Sequence, residues 1–409
     1  MANGKPAILG GKPAFPVKLP IVRPRVPPIP PFLDDLSSVL GSGLLTNGPK
    51  VGEFERQAAE FLSVQEVVAV ANCTSGLVLT LRSLGIRGEV ILPSFTFHAS
   101  GSALLWNNLT PVFADCEADT FCIDPKSVEK TITKKTGAIL AVHMYGHPAD
   151  VRELETIASR HSIPVIFDAA HAFGSRIDGV PIGSFGRAEI FSLSPTKLLT
   201  TGEGGLISTN DRALSKLLRA ARNYGDPGTY DPVVLGLNAR MSELHATLGI
   251  HGLKLINENV RSRNAVRAQY EKRFARLPGL TFQQIRPQAE STCKDFSFLV
   301  DPKAFGMSRD LFFEAMRAEN IETKKYFYPP LHRQKLYQSF YRPEVDPLKV
   351  TDRISESVLS LPIYWGLSES DVDTVADAVE KIHAHFSKMT PQEQSHLFSA
   401  AGSAVAGSV

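Results

Sequence analysis

The sequence predicts an α/β protein with one large domain, built on a mostly parallel sheet, and a smaller α+β domain after it. Short β-rich runs alternate with helical patterns over the first part of the chain, which is typical of a parallel sheet covered by helices. An amphipathic stretch at 253–277 then predicts a long connecting helix. The length of 409 residues is enough for about two to three domains.

Seven short runs are the predicted strands of the large domain, at 67–71, 89–93, 111–114, 138–143, 164–168, 189–193 and 205–209. Helical patterns at 151–161 and 211–222 lie between them, and segments 295–300, 309–319 and 371–386 predict the smaller domain. The basic side chains of the connecting helix, Arg263 among them, are predicted to form a solvated or interface face. Because ligands bind where parallel strands end, the residues just after the strands are the candidate site residues.

The two ends of the chain differ from its middle. Nine of the first 31 residues are proline, which lacks an amide donor and fixes φ, so residues 1–31 are predicted to form an extended arm. This arm is either mobile or lies across the domains or a neighbouring subunit. We place the large domain at 32–252, the connecting helix and small domain at 253–388, and a disordered tail at 389–409.

Composition argues against several classes of protein. The 44 Lys and Arg residues nearly balance the 42 Asp and Glu residues, which argues against a dedicated nucleic-acid or acidic-membrane binder. No apolar run approaches about 18 residues, so we expect no membrane-spanning helix, and the start of the chain lacks the features of a secretory signal. Four scattered cysteines without a CxxC pair favour a cytoplasmic protein with no disulfide or metal framework.

One lysine follows a predicted strand and precedes a glycine-rich turn. The segment begins at Phe191 and ends at Gly205, with Lys197 near its middle. Glycine permits close approach of a ligand to the backbone, and a desolvated lysine amine can be activated for Schiff-base chemistry. Taken alone, this segment is better explained by an exposed loop lysine. A Schiff-base role for Lys197 therefore depends on two further motifs.

Those motifs also lie at the ends of predicted strands. Asp168 ends a strongly apolar run, where a buried carboxylate needs a cationic or hydrogen-bonding partner. A protonated pyridine nitrogen would be such a partner, and an N-cap of the next turn is the alternative. Thr74 and Ser75 open an apolar helical pattern, where free amides and the helix dipole favour a phosphate. Plain N-capping is the alternative for these two residues.

Taken in order, the motifs resemble the DegT/DnrJ/EryC1/StrS family of sugar aminotransferases. The match runs from about Gly43 to about residue 382 and includes further segments, namely Pro93–Phe97, Val142–Gly146, Arg222–Gly225, Gly236–Glu243 and Leu359–Pro362. The resemblance implies the type I fold of pyridoxal 5′-phosphate (PLP) enzymes, which is the aspartate-aminotransferase-like fold. It also implies a homodimer with shared active sites.

The resemblance implies a role for each matching residue. Lys197 would carry PLP and move the proton, and Asp168 would keep the pyridine nitrogen protonated. His171, where many members have Gln, would lie near the 3-oxygen of PLP and could titrate near neutral pH, and Phe97 would stack on the ring. The phosphate would be held by Thr74, Ser75, Ser192 and the partner subunit's Asn238.

The resemblance also implies transamination, because Lys197 is present where relatives that catalyse deoxygenation carry His. Glutamate is the expected amino donor, with PLP passing through its pyridoxamine form (PMP), and motif similarity favours C-4 of dTDP-4-keto-6-deoxyglucose as the acceptor. A C-3 keto-sugar and a cyclitol of the scyllo-inosose type remain alternative acceptors. A regulatory protein without turnover is a more distant alternative function. No GxGxxG follows a strand, which argues against a nicotinamide dehydrogenase.

Further residues are candidates for contacts with the substrate. Loops and strand ends hold polar side chains that could line the sugar site or serve only as caps, namely Asn47, His143, Tyr145, His147 and His332. Cationic and aromatic residues are the candidates for holding the nucleotide, namely Arg240, Lys324, Lys325, Tyr326 and Tyr328. Cys73 stands where family members commonly have glycine, and we expect a small packed side chain there.

Overall fold

The structure is a computed structural model that describes residues 4–394. Its strands are β1 (Glu66–Val70), β2 (Glu89–Pro93), β3 (Thr110–Ala114), β4 (Thr136–Val142), β5 (Val165–Asp168), β6 (Arg176–Ile177), β7 (Val180–Pro181), β8 (Ala188–Ser192), β9 (Gly205–Thr209), β10 (Leu280–Phe282), β11 (Ala289–Glu290), β12 (Phe296–Val300) and β13 (Val358–Leu361). The α-helices up to residue 386 are α1 (Ile29–Ser42), α2 (Pro49–Leu62), α3 (Cys73–Ser83), α4 (His98–Trp106), α5 (Pro125–Thr131), α6 (Val151–His161), α7 (Arg212–Ala221), α8 (Glu243–Leu253), α9 (Ile256–Phe274), α10 (Pro302–Phe305), α11 (Arg309–Ala318), α12 (Lys349–Ser357) and α13 (Glu369–Phe386).

Seven strands form the sheet of the large domain, in the order β1-β9-β8-β5-β4-β2-β3. The strands from β8 to β3 are parallel, whereas β9 is antiparallel to both of its neighbours. Successive residues of β1 pack alternately into two apolar cores, one on each face of the sheet. All seven predicted strands lie within two residues of these observed strands, and the predicted α/β class is confirmed.

The strand pairing brings three chain segments to one edge of the sheet. Val70 at the end of β1 and Ser192 at the end of β8 both pair with Gly205. Asp168, at the end of β5, pairs with Ile190 near the end of β8. The residues that follow β1, β5 and β8 therefore converge, as expected for a ligand site in a parallel sheet.

The predicted connecting helix at 253–277 is observed as α9 (Ile256–Phe274), which is three residues shorter at each end. Helix α8 ends at Leu253 and α9 begins at Ile256, so a short break separates the two helices at the start of the predicted range. Both residues are buried, and the apolar pattern therefore continues across the break. Arg263 is also buried and not on a solvated face, because its Nη1 donates to the carbonyl oxygens of Lys294 (2.9 Å) and Ile363 (3.0 Å).

The small domain has its own sheet and its own core. Strands β10, β12 and β13 form a three-stranded antiparallel sheet. Apolar side chains of α9, α11 and α13 pack with these strands in one cluster, which also includes Leu19 of the N-terminal segment. Of the predicted tail, residues 395–409 lie outside the described residues, whereas Gln394 donates from Nε2 to the Gly306 carbonyl oxygen at 2.7 Å.

The proline-rich arm lies on the small domain of its own chain. The carboxylate of Glu319 accepts hydrogen bonds from the backbone amides of Ala7 (2.9 Å) and Ala14 (2.8 Å). Further along the arm, Leu19 pairs with Ile321 as an isolated parallel bridge. The extended region is shorter than predicted, because α1 begins at Ile29 with Pro30 and Pro31 in its first turn, where no amide donor is needed.

Over residues 4–394, no helix is long and apolar enough to cross a bilayer.

Glu319 is expected to be essential for keeping the arm on the small domain. It is fully buried, and besides the two arm amides it binds the Lys381 ammonium at 2.9 Å. Replacing it by alanine leaves Lys381 and the amides unpaired, so Glu319→Ala should lower the free energy of unfolding by about 3 kcal/mol or more. Urea unfolding measures this loss, and limited proteolysis should cleave the arm earlier in the variant.

Asp373→Ala is the matched control, because its ion pair with Arg273 is solvent-exposed and should contribute less than about 1 kcal/mol. Equal effects of the two substitutions would show that Glu319 does not fasten the arm.

Candidate active site

A cavity of about 400 Å³ lies at the convergence of the strand ends. Six of the eight predicted site residues line it, namely Thr74, Phe97, Asp168, His171, Ser192 and Lys197. A larger cavity of about 890 Å³ lies elsewhere, is lined by residues such as Arg309 and Asp352, and contains none of the eight. The chemistry of the lining, and not the volume, therefore identifies the smaller cavity as the candidate active site.

Asp168 ends β5 and is 5% exposed. The Ser100 hydroxyl donates to its Oδ2 at 2.7 Å, and the Ala170 amide donates to its Oδ1 at 3.1 Å. Burial raises the pKa of the Asp168 carboxyl, although these two hydrogen bonds and the charge of Lys197 oppose the rise. A cationic ring nitrogen next to this carboxylate would compensate for its burial.

Lys197 lies in the loop after β8, and its amine shares the cavity with Asp168. Burial is the largest cause that lowers the pKa of Lys197, to about 8, and the positive charge of Lys294 is the second. A substantial fraction of the amine is therefore neutral near pH 8. A neutral amine can attack a carbonyl carbon or accept a proton, which a surface lysine does poorly at this pH.

His171 does not behave as a switch near neutral pH, contrary to the expectation from its residue type. Burial, together with the charges of Lys197 and Lys294, holds the pKa of His171 well below its usual range. Its ring lies parallel to those of Tyr145 and Phe327, with centroids 6.4 and 6.2 Å away. Its Nδ1 is buried and, among the residues described, has no hydrogen-bond partner, so the neutral ring has a free nitrogen for a ligand.

The N-terminus of α3 forms another side of the cavity. Asn72 is the N-cap, and its Oδ1 accepts from both the amide (2.8 Å) and the hydroxyl (3.0 Å) of Ser75. Thr74 faces the cavity, whereas Ser75 lines a separate groove. Cys73 is buried, its thiol donates to the Ile190 carbonyl oxygen at 3.8 Å, and burial raises the pKa of the thiol well above the usual value. Thr74 and the first-turn amides are therefore the phosphate candidates here.

Phe97 and Asn238 differ in their relation to the cavity. The Phe97 side chain is 48% exposed and lines the cavity, so one ring face is available for stacking. Asn238 is exposed, pairs through its backbone with Asn223, and does not line the cavity of its own chain. A role for Asn238 at the phosphate therefore requires a second subunit.

The small domain supplies residues that the sequence interpretation missed. Lys294 and Asp295 line the cavity, are both buried, and form an ion pair with a distance of 2.8 Å from Nζ to Oδ1. Phe327 lines the cavity as well. The sequence does contain a hint of this pair, because two charged residues stand immediately before the apolar strand β12. Their approach to Lys197 depends on domain packing.

Several substrate candidates have structural partners instead. His143 is fully buried, accepts from the Ala149 amide at Nδ1 (3.0 Å), and contacts Glu189 through Nε2 (3.0 Å). The Tyr145 hydroxyl donates to the Tyr326 carbonyl oxygen. Arg240 donates to the Asn223 side chain at 2.7 Å and lies over the Tyr224 ring.

The other nucleotide candidates lie together. A groove of about 420 Å³ adjoins the cavity and shares Thr96, Phe97, Tyr326 and Phe327 with it. The groove adds Lys324, Lys325 and Tyr328. Four of the five predicted nucleotide contacts therefore line one groove next to Lys197, and only Arg240 lies apart from it.

These features fit PLP. The cavity combines a partly neutral lysine amine, a buried carboxylate, a histidine nitrogen that lacks a partner, an exposed aromatic face and a helix N-terminus. When bound, PLP withdraws electrons from the carbon next to the amine and so acidifies its C–H bond. With the seven-stranded sheet and the small domain, the site defines a PLP-dependent enzyme of type I fold.

Comparison with known proteins leads to the same class. The model of the DegT/DnrJ/EryC1/StrS aminotransferase family matches residues 31–380, and the chain belongs to this family. It is 35% identical over 356 residues to the dTDP-4-amino-4,6-dideoxy-D-glucose transaminase of Escherichia coli, which covers 87% of this chain and 96% of that protein. It is 33% identical over 353 residues to the dTDP-3-amino-3,6-dideoxy-alpha-D-galactopyranose transaminase of Aneurinibacillus thermoaerophilus, with coverages of 85% and 93%.

Solved structures of similar fold are also known. DesI, crystallised in the presence of its TDP-sugar product, has a TM-score of 0.90 at 35% identity, over 95% of this chain and 98% of that chain. A protein of Streptococcus pneumoniae described as a sugar aminotransferase, solved in its PLP form, has a TM-score of 0.82 at 25% identity, over 91% and 100% of the two chains. The protein is therefore a PLP-dependent aminotransferase.

The lowered pKa of Lys197 can be measured on the enzyme without PLP. Trinitrobenzenesulfonate reacts with neutral amines, so labelling of Lys197 should rise with pH around a midpoint near 8. Lys50 is the internal control, since hydrogen bonding to Asp35 raises the pKa of its amine. Mass spectrometry of digests prepared at each pH gives both curves.

Lys294→Met removes a positive charge and should move the Lys197 midpoint to higher pH. A midpoint unchanged by this substitution, or one that coincides with that of Lys50, would contradict the assigned electrostatics.

Proposed function

We propose that the protein transfers the amino group of glutamate to C-4 of dTDP-4-keto-6-deoxyglucose, in amino-sugar biosynthesis. The observation that carries this proposal is the placement of Lys197 and Asp168 in one cavity, next to a groove with cationic and aromatic walls. A keto-sugar nucleotide has an electrophilic carbon for the cavity. Its charged diphosphate and flat base suit the groove.

The residues of this chain divide the work of the reaction. The neutral amine of Lys197 accepts the proton that leaves the amino-bearing carbon of glutamate, and in the second half of the reaction it delivers a proton to the keto carbon of the acceptor. Asp168, held by Ser100 and Ala170, keeps a proton on the ring nitrogen of PLP. His171 stays neutral and offers one hydrogen bond through its free Nδ1. The aromatic walls Phe97 and Phe327 reduce the access of water.

The groove supports a nucleotide-linked acceptor over a free sugar. Lys324 and Lys325 line it, and each is paired with a carboxylate, Glu322 at 3.2 Å and Asp310 at 2.5 Å. A diphosphate can compete for these ammonium groups because it carries more charge than one carboxylate. The Tyr328 side chain is 48% exposed and offers a surface on which a base can stack.

The acceptor carbon that receives the amino group can be C-4 or C-3 of the sugar. The two relatives compared above are named as transaminases of a 4-amino and of a 3-amino sugar, respectively. Motif similarity and the 4-amino relative at 35% identity favour C-4. A C-3 keto-sugar and a cyclitol are the alternative acceptors. A regulatory protein without turnover is the distant alternative, and the occupied catalytic positions argue against it.

We also propose a homodimer with shared active sites. A groove of about 360 Å³ is lined by Ser75, Trp106, Leu235 and Leu237. Trp106 is 75% exposed and Leu235 is 70% exposed, and large apolar surfaces of this kind are typical of subunit interfaces. Since the groove also includes Thr74, a partner seated here would bring its own Asn238 loop close to the phosphate end of the cavity.

The acceptor test offers dTDP-4-keto-6-deoxyglucose, a dTDP-linked 3-keto-6-deoxy sugar and scyllo-inosose to the holoenzyme, each with glutamate. We expect 2-oxoglutarate to form mainly with the 4-keto sugar, and mass spectrometry should identify its amine product. Lys197→Ala is the control and should lose both the yellow colour of lysine-bound PLP and turnover. Reaction with the cyclitol alone would reverse the assignment, and an active yellow Lys197→Ala variant would refute the role of Lys197.

Subunit complementation tests the shared site. Asn238→Ala removes a hydrogen bond to a phosphate, so the PLP dissociation constant should rise by about 10- to 100-fold. Lys197→Ala alone should be inactive. Mixing the two variants through reversible dissociation should restore about a quarter of wild-type activity at limiting PLP, since half of the dimers then have one intact site. No recovery on mixing would place Asn238 in the site of its own chain or outside any site.

A further inference from the structure

The Lys294–Asp295 pair is a buried polar element of the active-site wall. The two residues are 5% and 8% exposed, and both line the cavity that contains Lys197. The backbone of Lys294 is fixed, because its amide donates to the Tyr145 carbonyl oxygen and Arg263 donates to its carbonyl oxygen, both at 2.9 Å. Both side chains act on the pKa of Lys197 through their charge, and neither yet has a contact with the substrate.

The pair is incomplete without a ligand. Lys294 occupies Oδ1 of Asp295, but Oδ2 is buried and, within residues 4–394, has no hydrogen-bond partner. A buried carboxylate oxygen without a donor is unfavourable, and native proteins usually satisfy it. Asp295 lines the catalytic cavity, so a rotation about its χ2, which is broad for Asp, would present Oδ2 to a substrate that can supply the missing donor.

The charge of the pair restricts the kind of donor. Lys294 and Asp295 neutralise each other, so a glutamate carboxylate gains little from Lys294 and is repelled by Oδ2. The glutamate ammonium must lose a proton to react, and an adjacent carboxylate would favour its protonated form. A hydroxyl group fits better, since it can donate to Oδ2 and also accept from a remaining N–H of Lys294.

We propose that Asp295, oriented by Lys294, accepts a hydrogen bond from the sugar hydroxyl next to the keto carbon and thereby selects the acceptor. In dTDP-4-keto-6-deoxyglucose this is the hydroxyl on C-3, so the inference rests on the proposed function. A site built to bind a hydroxyl discriminates strongly against an analogue that lacks it, because the polar groups are then left unpaired.

The test uses the double variant Lys294→Met/Asp295→Ala as holoenzyme. It leaves no unpaired buried charge, and Lys294 and Asp295 shift the pKa of Lys197 in opposite directions, so their joint removal disturbs Lys197 little. With dTDP-4-keto-6-deoxyglucose, kcat/KM should fall by about 10- to 100-fold. With the 3-deoxy analogue, the variant and the wild type should agree within about threefold.

Two further measurements separate binding from general damage. The rate at which glutamate bleaches the PLP absorbance should fall by a much smaller factor than kcat/KM for the 4-keto sugar, because glutamate has no hydroxyl for the pair to bind. Calorimetric titration with dTDP-4-amino-4,6-dideoxyglucose, the amine product, should show a dissociation constant raised by about 10-fold or more. Lys381→Met removes a different buried lysine–carboxylate pair of the small domain, with Glu319, and should change neither the glutamate rate nor the dissociation constant of the amine product by more than about threefold.

Equal losses with the parent sugar and the 3-deoxy analogue would overturn the proposal, as would a loss confined to the glutamate reaction. If Lys381→Met caused the same losses as the double variant, the proposal would also be overturned. The losses would then reflect a general disturbance of the small domain and not a missing contact with the sugar. Failure of the proposed function is distinguishable, because the wild-type enzyme itself would then transfer no amino group to the 4-keto sugar.

Discussion

The active site depends on the alignment of β1, β8 and β5, whose carboxyl ends lie at one edge of the sheet with β9 reversed between β1 and β8. This edge lets the Asp168 carboxylate be buried while the Ser100 hydroxyl and the Ala170 amide still reach it. It also needs glycine at Gly205, where a Cβ atom would lie 2.6 Å from the Asn72 backbone. The N-terminus of α3 can therefore approach the Lys197 loop closely.

The cavity also balances charge. Besides the exposed Glu203, its ionisable carboxylates and amines are those of Asp168, Asp295, Lys197 and Lys294. Interactions between such groups are strong where water is excluded. Burial and Lys294 lower the pKa of Lys197, whereas Asp295 and Asp168 raise it, and the result is a value of about 8. Burial, together with the charges of the two lysines, holds the pKa of His171 well below its usual range, so its neutral ring remains a hydrogen-bonding group.

The small domain contributes side chains to the active-site cavity. Segments that are distant in the chain stabilise this domain. Arg263 on α9 binds the carbonyl oxygens of Lys294 and Ile363 and so joins the connecting helix to the strand region that carries Lys294. The proline-rich arm covers another part of the domain, where Glu319 binds two arm amides. Since many prolines keep the arm extended, it adds a layer to the domain at a low cost in conformational entropy.

The sequence by itself determined the α/β class, all seven large-domain strands, the family, and six residues of the cavity, because each of these is carried by a contiguous run or motif. Only the tertiary structure brought Lys294 and Asp295 to Lys197, turned Ser75 away from the cavity, and buried Arg263. It also placed a break between α8 and α9 inside one apolar pattern. The physical reason is that periodicity reports which face of an element is apolar, whereas contacts between distant segments depend on how the elements pack together.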